Sequence, residues 1–313
     1  MSDDRRISVV AGGVGAAKFL RGLLRFHPNE LVTVIVNVAD DFRLHGLAIS
    51  PDLDTVTYTI SGQINDETGW GRGGESWRVM EELDKIGGRT WFSLGDLDLA
   101  LHLYRTQRLA EGATLSDVTH EICVAWGIAA TLLPATNENV STRLKVSGEG
   151  WLDFQDYFVA RQHNIPIADV RFDGIESASP SAGVIESLEE ADIVIIAPSN
   201  PIVSVRPVLE ISGIHEVLQK KKQSVVAISP IVGGAALKGP ASRMLTELGH
   251  ENSAVGVAVL YKDVAQTLVI DQVDAGLSGR IEAEGTRAVV TDTIMSDPER
   301  AAALAKSTLD SVL

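Results

Sequence analysis

Asp40 and Asp41 stand side by side, and Asp52 and Asp54 follow two residues apart within the stretch NVADDFRLHGLAISPDLDTVTY. Four carboxylates this close in sequence suit a hard cation, which prefers carboxylate oxygens and lets a diphosphate complete its shell. A second segment, VVAGGVGAAKFLRGL, puts Gly12, Gly13 and Gly15 at the start of a helical pattern. Glycines there let backbone approach a ligand, and the helix start aims free N–H groups at an anion. The segment is not a P-loop, which ends in Gly-Lys-Ser/Thr. It is not a full dinucleotide fingerprint either, because Lys18 occupies the third glycine position. A third cluster, WFSLGDLDLALHLYRT, carries Asp96, Asp98, His102 and Arg105, with Asp98 and His102 one turn apart on one helix face. Two later loops, IIAPSNPIVSV with Ser199 and Asn200 and AISPIVGGAALKGPA with Gly233 and Gly234, offer rigid turns and accessible backbone donors for a nucleotide or phosphate.

Each feature also has an ordinary structural explanation. Glycines serve tight turns without any ligand, and Lys18 on a helix can simply be solvated. Pro51 starts a helix with Ser50 as its cap, so capping and dipole chemistry account for Asp52. Asp54 lies further along, where that stabilisation fades. Capping likewise accounts for Asp96, and His102 can be packed or paired locally.

The elements that must position these residues alternate. Residues 7–11, 32–38, 193–197 and 225–229 are short β-branched runs that read as strands buried on both faces, as in parallel sheets. Residues 18–26, 76–85, 99–109, 115–126, 205–218 and 241–248 carry helical periodicity. The pattern is an α/β fold, Rossmann-like and doubly wound around a mostly parallel sheet. Residues 141–159 alternate around Gly148-Glu149-Gly150 like a hairpin, which marks a smaller inserted α+β subregion over about 136–175 within one domain spanning 1–313. In such sheets ligands bind beyond the carboxyl ends of the strands, where the three clusters fall. With 313 residues, 45% hydrophobic and 22% charged, the chain has ample core and is not disordered. A net charge of −15 argues against nucleic acid as a partner. No apolar run is long enough for a membrane and the N-terminus lacks a signal-peptide core, while a single cysteine, Cys123, suits a reducing cytoplasm. The basic run Lys220-Lys221-Lys222 falls at a helix end, where cations complement the dipole.

Taken in order, AGGVGAAKFLRGL, NVADDFRLHGLAISPDLDTVTY, LGDLDLALH, APSNPI and SPIVGGAALKGPA resemble the 2-phospho-L-lactate transferase family of the CofD type, over essentially the whole chain. The resemblance implies transfer of a phospholactyl-type group from a guanosine diphosphate donor to the deazaflavin Fo. That reaction releases GMP, belongs to coenzyme F-420 biosynthesis and uses Mg²⁺. It implies Asp41 and Asp54 as catalytic metal ligands, with Asp54 also orienting or deprotonating the Fo hydroxyl. Gly12, Gly13, Gly15, Lys18, Ser199, Asn200, Gly233 and Gly234 then serve the donor, and Asp54, Asp98 and His102 the acceptor. Trp70 or Trp77 is a candidate wall for the flat ring. The expected assembly is a homodimer acting on small molecules. Leu97 and Leu101 depart from the Gly-Asp-Arg-Asp and later Thr-His of many family members. Two alternatives stand behind this reading: a non-catalytic nucleotide-sugar-binding regulator of the same superfamily, and an NAD(P) oxidoreductase.

Overall fold

Runs of apolar β-branched residues build the centre of the molecule. The computed structural model describes residues 4–161, 165–236 and 239–312. Seven strands form the main sheet: β1 (Ile7–Ala11), β2 (Val32–Val36), β3 (Thr131–Pro134), β4 (Ile193–Ile196), β5 (Val225–Ile228), β6 (Thr267–Asp271) and β7 (Arg287–Thr291). Every pairing between neighbours is parallel, and the order across the sheet is β7-β6-β5-β4-β1-β2-β3. The chain winds one way from β1 through β2 to β3 and the other way from β4 onward. The loops after β1 and β4 therefore diverge and open a crevice between them, the topological switch point where α/β sheets bind ligands.

The sheet is buried on both faces because successive residues serve opposite layers. Val9, Val34, Ile195 and Val226 pack with Phe19, Leu20 and Leu304 on one side, and Val10, Ile35, Val194 and Ile196 pack with Leu144, Tyr157 and Phe172 on the other. Helices α1 (Gly13–Leu23), α2 (Pro51–Ile60) and α5 (Pro298–Asp310) cover the first side. Helices α3 (Asp96–Ala110) and α4 (Leu115–Ala125) lie beyond α2, around a satellite core of Tyr58, Leu101, Val118 and Ile122. On the other side a three-stranded antiparallel sheet, Ser141–Val146, Gly150–Asp153 and Ile167–Asp173, forms between β3 and β4.

Two elements differ from the periodicity reading. Residues 205–218 are not one helix. A π turn, Pro201–Val205, leads into Arg206–Leu209, and Gly213 at φ +86° takes the left-handed conformation from which Ile214–Lys220 restarts. The lysine run also does more than end its own helix: Lys221 Nζ reaches back to the carbonyls of Glu189 (2.7 Å) and Ala191, at the end of the helix Val184–Glu190. Among the described residues no helix is long and apolar enough to cross a membrane.

Helix α1 is held against the loop after β4 by an unusually close backbone approach. A Cβ on Gly15 would lie 2.2 Å from the Pro198 carbonyl oxygen, so no side chain fits there. Gly15→Ala should therefore cost about 1–3 kcal/mol, the usual penalty for overpacking. Gly279→Ala, in the helix Ser278–Ala283 with open space around its Cβ, should gain up to about 1 kcal/mol from helix propensity. Urea unfolding midpoints of the two variants test this, and an unmoved midpoint for Gly15→Ala would mean the contact yields freely.

Candidate active site

A cavity of about 840 Å³ opens at the switch point. The loop after β1, the start of α2, the loop after β4 and residues 293–296 beyond β7 line its floor. The last of these is fixed by Asp271 at the end of β6, which accepts from the Thr293 N–H at 2.8 Å and from its hydroxyl at 3.0 Å. Aromatic side chains close the upper walls. Phe154 and Phe158 come from the inserted subregion, stacked at 5.4 Å and nearly coplanar, and Trp70, Trp91 and Phe92 come from the segment between α2 and α3.

The three glycines meet three separate constraints. Gly12 has no room for a Cβ, which would lie 2.7 Å from Ser204 Cβ and 2.8 Å from an Asp52 oxygen. Gly13 sits at φ +68°, in left-handed space, and Gly15 makes the Pro198 contact already described. Ser199 ties the two diverging loops together: its hydroxyl donates to the Gly12 carbonyl at 2.8 Å and accepts the Gly12 N–H at 3.2 Å. Asn200 spends its carbonyl oxygen on the N–H groups of Ile202 and Val203. Lys18 also lines the cavity, where it is the only Lys or Arg among the described residues.

The acids divide into two groups. Asp40 and Asp52 face the cavity and are 6% and 7% exposed. Asp52 accepts from Asn37 Nδ2 at 2.9 Å and from the Gly13 N–H, yet burial still pushes its carboxyl up to about 6. Burial, then the charge of Asp52, raises Asp40 well above the ordinary carboxylate range. Asp40 Oδ1 and Asp41 Oδ1 are both enclosed without a well-formed hydrogen bond, and of the two only Asp40, with the Thr142 hydroxyl close by, faces this cavity. A buried carboxylate oxygen without a well-formed hydrogen bond, beside a second carboxylate, is a poor arrangement for protein alone and a good one for a hard cation. These two residues fit Mg²⁺.

The second group is built around Arg105, which is 3% exposed. Its guanidinium forks onto both oxygens of Asp54 and lies 3.3 Å from His102 Nδ1. His102 Nε2 is 3.3 Å from Asp98 Oδ1, and the Tyr58 hydroxyl donates to the same oxygen at 2.5 Å. Burial alone would raise the Asp98 carboxyl, but the close approach of His102 and the Tyr58 hydroxyl hold it below its usual value. Asp54, Asp98 and His102 place one ligand atom each within 4.8 Å of one another. In this arrangement, however, Arg105 already answers the Asp54 charge. The group reads as a proton-handling and hydrogen-bonding cluster, and the Asp40–Asp52 pair is the better cation site.

The structure thus brings Gly12, Gly13, Gly15, Lys18, Asp54, Asp98, His102, Ser199 and Asn200 to one cavity. It does not bring Asp41, Gly233, Gly234 or Trp77 there. Asp41 turns into an adjoining groove and accepts the Ser50 hydroxyl at 2.6 Å, which also removes Ser50 from side-chain capping of α2. Gly233 and Gly234, at φ +57° and +75°, form the turn of a small hairpin, where Asp274 accepts the Gly233 N–H at 2.9 Å. Trp77 lies on the surface at the start of the helix Arg78–Lys85. Asp96 does not cap α3, because Gly95 holds that position and Asp96 accepts the Ser76 N–H at 2.7 Å. Leu101 packs in the satellite core, and Leu97 offers its backbone carbonyl to Arg72 at 3.2 Å, a contact that does not depend on its side chain. Asp40 stood among the four acids read as suiting a cation but was not chosen as a ligand, and Tyr58, Phe154 and Phe158 escaped the sequence reading. The Phe154–Phe158 spacing of four in FQDYF was the available signal.

A doubly wound sheet with an acid-walled cavity beside a glycine-rich helix start is the arrangement of α/β enzymes that act on phosphorylated ligands. The chain belongs to the CofD family: the family model described as 2-phospho-L-lactate transferase CofD matches residues 7–309. A phosphoenolpyruvate transferase of Streptomyces griseus is 41% identical over 310 residues, covering 97% of this chain and 98% of that protein. A 2-phospho-L-lactate transferase of Methanocaldococcus jannaschii is 38% identical over 307 residues, covering 97% of each. The chain is an enzyme of this transferase type, which leaves the oxidoreductase and non-catalytic alternatives without support. A crystal structure of a Bacillus halodurans protein of the UPF0052 family shares the fold at a TM-score of 0.65, over 97% of this chain and 99% of that one, at 16% identity.

Two predictions follow from the charges. Asp40, Asp41 and Asp52 are all raised, so the folded protein holds protons that an unfolded chain releases near pH 4. Their contribution to stability is full below about pH 4 and declines as pH climbs through about 6, where Asp52 ionises. Thermal melts of metal-free protein should show that decline, and Asp52→Asn should flatten it. Arg105→Met should cost about 3–5 kcal/mol by stranding the Asp54 charge, and adding Asp54→Leu should recover most of it. Equal loss in the single and double variants would show that packing, not charge, dominates.

Proposed function

We propose that this enzyme moves a phospholactyl-type group (2-phospholactyl, phosphoenolpyruvyl or phosphoglyceryl) from a guanosine diphosphate donor to the deazaflavin Fo. The products are F-420-0 or its dehydro form and GMP, within coenzyme F-420 biosynthesis. One observation carries the reading: a buried carboxylate pair, Asp40 and Asp52, shares a cavity wall with the glycine-rich start of α1. A diphosphate drawn to those backbone donors is repelled by that wall until a divalent cation neutralises it. Mg²⁺ held there by Asp40 and Asp52 would supply charge neutralisation of the diphosphate. The similarity to phosphoenolpyruvate transferases favours the phosphoenolpyruvyl donor as the first to try.

The chain's own residues account for the remaining chemistry. Backbone N–H groups at the start of α1 and Lys18 hold the diphosphate. The ribityl hydroxyl attacks the phosphorus bearing the transferred group, one P–O bond forms, and the P–O bond to GMP breaks. Asp54, fixed by the Arg105 fork, orients that hydroxyl, and Asp98 with His102 takes its proton. The aromatic walls exclude water, which would otherwise hydrolyse the donor, and offer flat apolar surface to the deazaflavin ring. Positioning and charge neutralisation do most of the work, as in phosphoryl transfer generally.

Mass spectrometry of products from Fo, Mg²⁺ and a panel of guanosine diphosphate donors tests the reading. Transfer should require the divalent cation, and undiminished turnover in excess chelator would remove it. Asp98→Asn should lower kcat about 10²-fold or more, the scale of a positioned acid–base group. Asp40→Asn should abolish metal-dependent turnover while Asp41→Asn leaves most of it. The reverse ranking would move the cation to the Asp41 side.

A further inference from the structure

Residues 63–76 form a strap between α2 and α3. Backbone bonds from Asn65 to Gly71 (3.0 Å) and from Gly73 to Gln63 (2.9 Å) close it into a loop, whose Thr68, Trp70 and Gly71 line the cavity. The strap is seated residue by residue on the first turn of α3. Ser76 N–H donates to Asp96, the Arg72 guanidinium to the Leu97 carbonyl, and Glu75 Oε1 accepts the Asp98 N–H at 2.7 Å. Gly95 makes this possible. A Cβ there would fall 2.2–2.4 Å from the Glu75 carboxylate, so the carboxylate lies flat against the backbone at the helix start. Arg72 is further clamped over Trp126 at 5.0 Å and over Tyr58 at 5.7 Å.

We propose that Glu75 is a positioning residue for the acceptor: by seating the strap on α3 it sets Trp70 and Asp98 together as the acceptor end of the cavity. The proposal rests on the transfer reaction proposed above. Its physical basis is that the Glu75 carboxylate accepts from both walls, the Arg72 N–H of the strap at 3.3 Å and the Asp98 N–H of α3 at 2.7 Å, and so ties together the Ser76–Asp96 and Arg72–Leu97 contacts on either side of it. The Asp98 backbone is fixed by the Glu75 bond, and its side chain by Tyr58, which Arg72 of the same strap overlies. Strap and helix start therefore form one unit. The donor end, at Gly12, Gly13 and Lys18, is built from other elements and should not sense Glu75.

Three variants test this: Glu75→Ala, which removes the latch; Gly95→Ala, which pushes a methyl into the intact carboxylate; and the double variant. Glu75→Gln keeps an acceptor for the Asp98 N–H but gives up the one that Oε2 offers the Arg72 N–H at 3.3 Å, so it should fall between wild type and Glu75→Ala. Each single alanine variant should raise the acceptor KM about tenfold, the scale of one hydrogen bond to a charged group, with the donor KM unchanged. The double variant should be no worse than either single, because the three atoms nearest a Cβ at 95 all belong to the Glu75 carboxylate. Hydrogen exchange of residues 65–71 should quicken in both single variants, and this readout does not depend on turnover. Unchanged exchange and acceptor KM, an equal rise in donor KM, or fully additive effects would each overturn the proposal. Absence of transfer by the wild-type enzyme with every donor would instead overturn the reaction assigned above, while the exchange data would still decide whether Glu75 seats the strap.

Discussion

The Pro198 carbonyl oxygen occupies the space that any side chain at position 15 would need. This contact sets how α1 leaves β1, and much of the site follows from it. With α1 pressed against the loop after β4, the Ser199 hydroxyl reaches both backbone groups of Gly12 and closes the crevice from below. The start of α1 then faces the cavity, and Asp52 from α2 comes within reach of the Gly13 N–H. A larger residue at 15 would tilt the helix and separate these groups together. Packing and ligand geometry are here the same constraint.

Charge supplies the second organising rule. The protein tolerates two kinds of buried carboxylate within one cavity. Asp54 is answered in place by Arg105, a rigid fork that stays charged at any working pH. Asp40 and Asp52 are answered only in part, and both are held by burial toward the protonated form. The permanent ion pair gives a fixed orientation, whereas the incompletely satisfied pair keeps carboxylate oxygens open toward the cavity. In the proposed reaction, keeping the two apart would let a cation bind without disturbing the residues assigned to the acceptor.

Much of this was legible in the residues, and the failures have physical causes. β1 was placed to the residue because Ile7–Ala11 is uniformly apolar and both its neighbours are parallel strands. β3, β6 and β7 went unread. Thr131–Pro134 is short and ends in proline, Thr267–Asp271 carries polar ends, and Arg287–Thr291 is a half-exposed edge strand without a continuous apolar run. The glycine loop was found because three glycines before a helix have few uses. The choice between Asp40 and Asp41 was beyond sequence reasoning, since adjacent residues after a strand point to different sides and only the tertiary turn decides which faces the cavity. Gly233 and Gly234 make a tight hairpin turn outside the cavity lining, and in sequence such a pair looks the same as one that admits a phosphate. Of the two tryptophans weighed as an aromatic wall, Trp70 lines the cavity and Trp77 does not, and a stacked pair joins it from the inserted subregion, which reaches the cavity through a long-range packing contact.

The cavity draws its lining from both extremities of the chain: Gly12 and Gly13 near one, Thr293 to Ser296 near the other, with α5 lying against α1. During synthesis the glycine loop emerges about 280 residues before Thr293 to Ser296 give its pocket a far wall. Domains of this size acquire tertiary structure as units, and partial chains expose apolar surface in the meantime. A nascent fragment that stops short of Thr293 lacks that wall of the cavity and the helix that covers α1. Such a fragment exposes the apolar face of α1, the kind of surface that proteolytic surveillance detects.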